Sequence, residues 1–200
     1  MPSDLSRRSV LALVPGAVML ASVPGVAQAI TVDQARGLID KLVAEINSVI
    51  NSGASEGGMY PKFESIFARY ADVSYIAKSA LGPAGRAASG SEISAYTRAF
   101  QGYISRKYGR RFREFIGGEI VVQDAKPLKS YFEVVSQAKL KGQAPFEVRW
   151  HVVDRGGKSL FFNLIIEGVN MLAAERTEVG AMLDKAKGSI GGLTQALNAA

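Results

Sequence analysis

Three features of this 200-residue sequence predict an α+β domain. Apolar residues recur at helical spacing between residues 31 and 115, a period of two takes over between 119 and 167, and helical spacing returns from 170. Helices, then a meander of four strands, then helices predict a curved four-stranded antiparallel sheet with helices packed on one side.

The first 29 residues stand apart from that plan. Arg7 and Arg8 precede an apolar run from Val10 to about Val26, and Ala27-Gln28-Ala29 supplies a small-x-small cleavage pattern. Pro15, Gly16, Pro24 and Gly25 interrupt the run, which is short for a membrane span; a retained anchor helix is the alternative. Ser6-Arg7-Arg8-Ser9-Val10-Leu11 resembles the twin-arginine export signal. A signal peptide over 1–29, cleaved after Ala29, would leave residues 30–200 as one domain in the periplasm. The sequence has no cysteine, which excludes disulfides, thiolate metal sites and a lipoprotein anchor.

Each element then has its own signature. The segment 31–51 spaces Ala35, Leu38, Ile39, Leu42, Val43, Ile46 and Ile50 as a helix, and GASEGG (53–58) reads as a flexible link. A short helix starts at Pro61 with Phe63, Ile66 and Phe67 on one side; Asp72 caps another over 73–81, which Gly82-Pro83 ends. Ser89 and Glu92 form a capping box for the longest helix, 90–115. The predicted strands cover 119–124, 131–140, 145–153 and 159–167. Alternation turns Val134, Phe146, Val148, Trp150, Val152, Phe162, Leu164 and Ile166 inward and Glu147, Arg149 and His151 outward, with Asp154-Arg155-Gly156-Gly157 as a hairpin turn. Asn170 caps a helix reaching Lys187, and Ile190, Leu193 and Leu197 mark a last short one.

The stretch RKYGRRFREF (106–115) has the composition of a nucleic-acid arm, basic residues interleaved with aromatics. At 100° per residue on the long helix it separates: Phe100, Ile104, Tyr108, Phe112 and Phe115 share one side, and Arg106, Arg110 and Arg113 fall on a solvated side. Lys107 and Arg111 lie within the apolar arc, where their charges must reach a rim along apolar stems. The formal net charge of +6 predicts attraction to anionic surfaces or acidic partners.

Catalytic chemistry is sparse. His151 is the sole histidine, on the polar side of a strand with no nucleophile at a recognisable spacing, which reads as a surface histidine and argues against zinc. Gly157-Lys158-Ser159 lacks the leading glycine of a phosphate loop, because Val152 occupies that position. Glu167, alone at the end of an apolar strand, is a capping residue or, on an enzyme reading, a general base.

Four stretches resemble, in order, the MlaC/toluene-tolerance family of periplasmic lipid-binding proteins. They are FARYADVSYIAKSALG (67–82), AYTRAFQGYISRKYGRRFREFIGG (95–118), VVDRGGKSLFFNLIIEGVNML (152–172) and ERTEVGAMLDKAKGSIGGLTQAL (175–197). Glu167-Gly168-Val169-Asn170 is the most specific of these signals, Asn170 standing where that family commonly has Ser. The resemblance implies a cystatin-like fold enclosing an apolar cavity for phospholipid acyl chains, with no enzyme activity and no cofactor. It also implies exchange of lipid between an outer-membrane lipoprotein complex and the substrate-binding subunit of an inner-membrane ABC transporter, maintaining outer-membrane lipid asymmetry. The cavity wall would draw on Ile76, Leu81, Phe100, Ile104, Tyr108 and Phe112 from helices, and on Val122, Val134, Val148, Trp150, Phe162, Leu164 and Ile166 from strands, with Arg111 and Lys107 at a headgroup rim. A hopanoid or sterol-like cargo, a small pocket enzyme on a related cone-shaped α+β fold, and an adaptor with a filled core stay open as alternatives.

Overall fold

The computed structural model describes residues 30–200, without the side chains of Phe112 and Arg113; the signal peptide expected over 1–29 lies outside the described residues. Helices α1 (Val32–Ile50), α2 (Glu56–Tyr70), α3 (Val73–Leu81) and α4 (Gly90–Arg111) come first, with 3₁₀ turns at Gly82–Arg86 and Phe112–Phe115. The strands β1 (Glu119–Pro127), β2 (Phe132–Lys139), β3 (Phe146–Asp154), β4 (Ser159–Ile166) and β5 (Val169–Asn170) follow, then α5 (Met171–Lys185) and α6 (Ile190–Ala199). Among the described residues, no helix is long and apolar enough to cross a membrane.

The caps form as their sequences dictate. Thr31 and Gln34 make a reciprocal capping box on α1, and Ser89 and Glu92 make another on α4, Glu92 Oε2 accepting from Ser89 N at 2.9 Å. Asp72 accepts from Tyr75 N on α3, and Asn170 from Ala173 N on α5. The start of α2 differs from the expected Pro61. The helix begins five residues earlier, at Glu56, and takes in the end of the glycine-rich link, with Met59 buried.

The sheet has five antiparallel strands rather than four, in the order β1-β2-β3-β4-β5. The extra strand is two residues long, paired to β4 across a tight turn at Glu167 (φ 49°) and Gly168 (φ 81°). Positive φ at both central residues suits the twist of a two-residue hairpin. Two register shifts explain why the period-two pattern misleads locally. Gln123 is extra on β1, so the strand continues past the expected 124 to Pro127. On β4, Phe162 is extra, so Phe161 takes the buried place opposite Val152.

Helix α1 touches all four long strands and is stitched to β1 by Asn47, whose amide accepts from Ile120 N at 3.2 Å and donates to Ile120 O at 3.1 Å. Ala71 and Asp72, between α2 and α3, bond to Phe161 on β4. Helix α4 crosses α2 at Gly109, where a Cβ would stand 2.6 Å from Tyr60 Cδ1; the glycine permits close approach, and the helix continues through it to Arg111. The basic side of α4 is not simply solvated. Arg106 donates to Leu197 O at 2.7 Å and Arg110 to Ala200 O at 3.3 Å, so both satisfy the last carbonyls of α6.

His151 is buried, contrary to its expected surface position. Its ring packs on Tyr131 (4.6 Å) and Phe162 (5.8 Å), Nδ1 faces Asn163 Nδ2 at 3.4 Å and Nε2 faces Glu133 Oε2 at 3.6 Å. Asn163 in turn accepts from Leu172 N at 3.2 Å, tying this outer corner of the sheet to α5. Burial lowers the His151 pKa, and Glu133 opposes that only in part. In the unfolded chain His151 titrates near its ordinary value of about 6.5. Below that pH the unfolded state binds a proton that the native state resists, so this contribution to stability is complete above about pH 6.5 and is lost on acidification. A series of denaturation midpoints from neutral pH to about pH 5 is therefore expected to decline less steeply in His151→Gln than in the parent; identical slopes would refute this.

Candidate functional site

Between the inward face of the sheet and helices α1 to α5 lies a cavity of about 320 Å³, within the usual size range of small-molecule pockets. Its floor is the sheet: Val148 and Trp150 from β3, and Phe161, Leu164 and Ile166 from β4. Trp150 is fixed there by donating from Nε1 to Ser136 Oγ at 2.8 Å, while Ser136 donates to Val148 O at 3.2 Å. Both polar groups of this corner are thus satisfied, and the indole presents an apolar surface.

The helical walls are aromatic and aliphatic. Leu42 and Ile46 come from α1, Phe63, Ile66 and Phe67 from α2, Ile76 from α3, and Ile104 and Tyr108 from α4. Phe115 and Phe146 meet edge to face at 6.1 Å beside them. Polar lining is confined to a few residues, among them Arg111, Glu114, Gln143, Asn163, Glu167 and Glu175.

Nine of the sequence-predicted residues lie on this wall: Ile76, Ile104, Tyr108, Val148, Trp150, Phe162, Leu164 and Ile166, with exposed Arg111 among the polar lining. Leu81, Phe100 and Val134 do not line it; they are buried in the packed core, because α4 turns Tyr96 and Phe100 away from the sheet cavity and β2 meets α1 directly. Val122 stands next to the β1 bulge and also lies off the wall. The Phe112 side chain is outside the described residues. Lys107 does not line the cavity; its ammonium is drawn to α5, 2.7 Å from Glu175 Oε1 and against Glu178.

That pairing belongs to a cluster the sequence did not disclose. Tyr108 donates to the same Glu175 Oε1 at 2.6 Å, and Tyr103 donates to Glu178 at 2.5 Å. Burial would lower the Lys107 pKa, but its hydrogen bonds to Glu175 and Glu178 prevail and raise it. Burial and the Glu175 charge push the Tyr108 phenol up. Glu178 is lowered: desolvation opposes, and Lys107 and Tyr103 outweigh it. Lys107 is therefore a cation, and both tyrosines are neutral donors, across the physiological range.

Glu167, the one candidate base read from the sequence, is exposed in the β4–β5 turn. Among the described residues, no group of three or more His, Asp or Glu is arranged to hold a metal ion. What the arrangement supplies is a mostly apolar enclosure with a few polar side chains in its lining, Arg111 from α4 and Glu175 from α5 among them.

Residues 37–199 match the family model described as MlaC protein. The chain belongs to the MlaC family. A solved structure shares its fold: the phospholipid-binding protein from Ralstonia solanacearum in complex with a phospholipid, at a TM-score of 0.69 and 16% sequence identity. The match covers 82% of this chain and 95% of that one. In this MlaC-family chain the Glu167-Gly168-Val169-Asn170 motif builds the tight turn, the short β5 and the cap of α5, and thereby sets the cavity-lining start of α5 in place.

Proposed function

We propose that this MlaC-family protein is a non-enzymatic carrier of phospholipid, on a cystatin-like fold whose cavity covers acyl chains. The observation that carries the reading is the cavity wall itself, made mostly of Leu, Ile and aromatic side chains. Two acyl chains have roughly 30 methylenes, and exposing them to water would cost on the order of 25 kcal/mol at about 0.8 kcal/mol each. Covering them is the whole task, and it needs no reacting group. The sequence at 1–29 supports export to the periplasm, and a carrier there would exchange lipid between an outer-membrane lipoprotein complex and the substrate-binding subunit of an inner-membrane ABC transporter. The same wall accommodates a hopanoid, so cargo identity is part of the test. Mass spectrometry of lipid extracted from protein purified from its native membranes-containing host is expected to show phospholipid at near-stoichiometric amounts; hopanoid in its place would change the cargo, and a consistently empty protein would sink the reading.

A further inference from the structure

Asn163 joins the cavity to the outer side of the sheet. It is 6% exposed and lines the cavity, and its Oδ1 accepts twice, from Leu164 N at 2.8 Å and from Leu172 N at 3.2 Å. Leu172 is the second residue of α5, so its N–H has no acceptor within the helix. Asn163 supplies one, and so holds in place the first turn of α5, from which Met171 and Leu172 line the cavity. With Oδ1 fixed by two backbone donors, Nδ2 is the atom that faces His151 Nδ1, 3.4 Å away.

That contact sets the state of the imidazole. Opposite a donor, Nδ1 is the unprotonated nitrogen, and the ring proton sits on Nε2, 3.6 Å from Glu133 Oε2. A second proton, on Nδ1, would set two donors against each other. Turning the Asn163 amide over gives no relief, because Nδ2 would then meet Leu164 N and Leu172 N. Every arrangement of the charged ring therefore leaves a buried donor unserved. The surrounding charges do not cancel this. Glu133 on β2 favours the imidazolium but is shared with Lys126 of β1 at 3.1 Å, Arg149 on β3 opposes it, and Tyr131 and Phe162 pack on the ring as neutral groups. The His151 side chain is 10% exposed, so water can deliver the proton.

We infer that His151 is a pH-sensitive latch on the cavity: while neutral it holds Asn163, and through it the start of α5, in the cavity wall, and on gaining a proton it loosens that wall and weakens lipid binding. This rests on the carrier reading above. The cargo is held at neutral pH and given up as the surroundings turn acidic.

The test loads the mature chain with pyrene-labelled phosphatidylglycerol, mixes it with phosphatidylcholine vesicles, and reads the lipid that stays on the protein from neutral pH to about pH 5. Affinity is expected to fall about tenfold in the unaltered chain, the cost of one buried donor left unserved. It is expected to stay level in His151→Gln, whose amide oxygen can accept from Asn163 Nδ2 and takes no proton. An equal fall in both proteins would overturn the inference, as would lipid loss that coincides with unfolding seen by circular dichroism. If His151→Gln does not fold, the unaltered chain still decides. His151 is the sole histidine, so its imidazole gives a single NMR titration. By reciprocity, a tenfold coupling lowers that midpoint by about one pH unit when lipid is bound; the same midpoint with and without lipid overturns the inference. A chain that keeps its lipid down to about pH 5 ends this inference and leaves the carrier reading intact, whereas one that takes up no lipid at neutral pH ends both.

Discussion

Lys107→Met is expected to destabilise the protein by about 3–5 kcal/mol, the penalty for leaving a buried charge without its partner. Glu175 carries the penalty: its side chain is 4% exposed, and Lys107, itself only 22% exposed, is the sole cation within 4 Å of it among the described residues. Tyr108 would remain as a donor, but a neutral phenol cannot neutralise a carboxylate in an apolar wall. At roughly 2–4 °C per kcal/mol for a domain of this size, the melting temperature should fall by about 10 °C or more. The effect is specific to the unpaired charge. Glu175→Leu combined with Lys107→Met removes both partners, and the double variant should recover most of the loss, since apolar replacement of a buried pair is often neutral or stabilising. Thermal unfolding of the parent, both single variants and the double variant forms the cycle. A single Lys107→Met variant within about 1 kcal/mol of the parent would show that Glu175 is not held by this contact.

This cluster also shows where reading the sequence stops. Local signals were legible because their physics is local: the Ser89–Glu92 box, the Asp72 and Asn170 caps and the Asp154–Gly157 turn each concern residues three apart. The inward faces of β2 and β3 were legible from alternation. Lys107 and Glu175 are 68 residues apart, and no local pattern links them. Only the crossing of α4 and α5 makes them a buried pair. The helical wheel did register the conflict, since it set Lys107 and Arg111 in the apolar arc, but it could not say that a carboxylate from another helix resolves it. Arg106 and Arg110 were read as solvated for the same reason, their partners being the carbonyls that end α6. The bulge at Phe162 has a further consequence. One extra residue exchanges the roles of Phe161 and its neighbour, and it accompanies the burial of His151, which strict alternation turns to solvent.

Core and cavity wall look alike in sequence, so the decisive experiment must separate them by two opposed readouts. Ile104→Trp is expected to leave the protein folded and to weaken lipid binding by at least tenfold. Ile104 lines the cavity on α4, one turn before Tyr108, so an indole there can grow into open volume instead of displacing packed atoms. Displacing about three methylenes of bound chain would forfeit roughly 2.4 kcal/mol, close to a sixtyfold loss. Val134→Trp is the contrasting substitution. Val134 has no exposed surface, lies off the cavity and faces packed neighbours, so overpacking should cost it about 1–3 kcal/mol or more. A protein with a filled core would respond to both substitutions in the same way, by losing stability. A carrier would lose lipid in one and stability in the other. Melting temperature and bound lipid, measured together on the two variants, distinguish these outcomes, and a folded Ile104→Trp protein that still binds its full complement of lipid would show that the chains do not occupy this cavity.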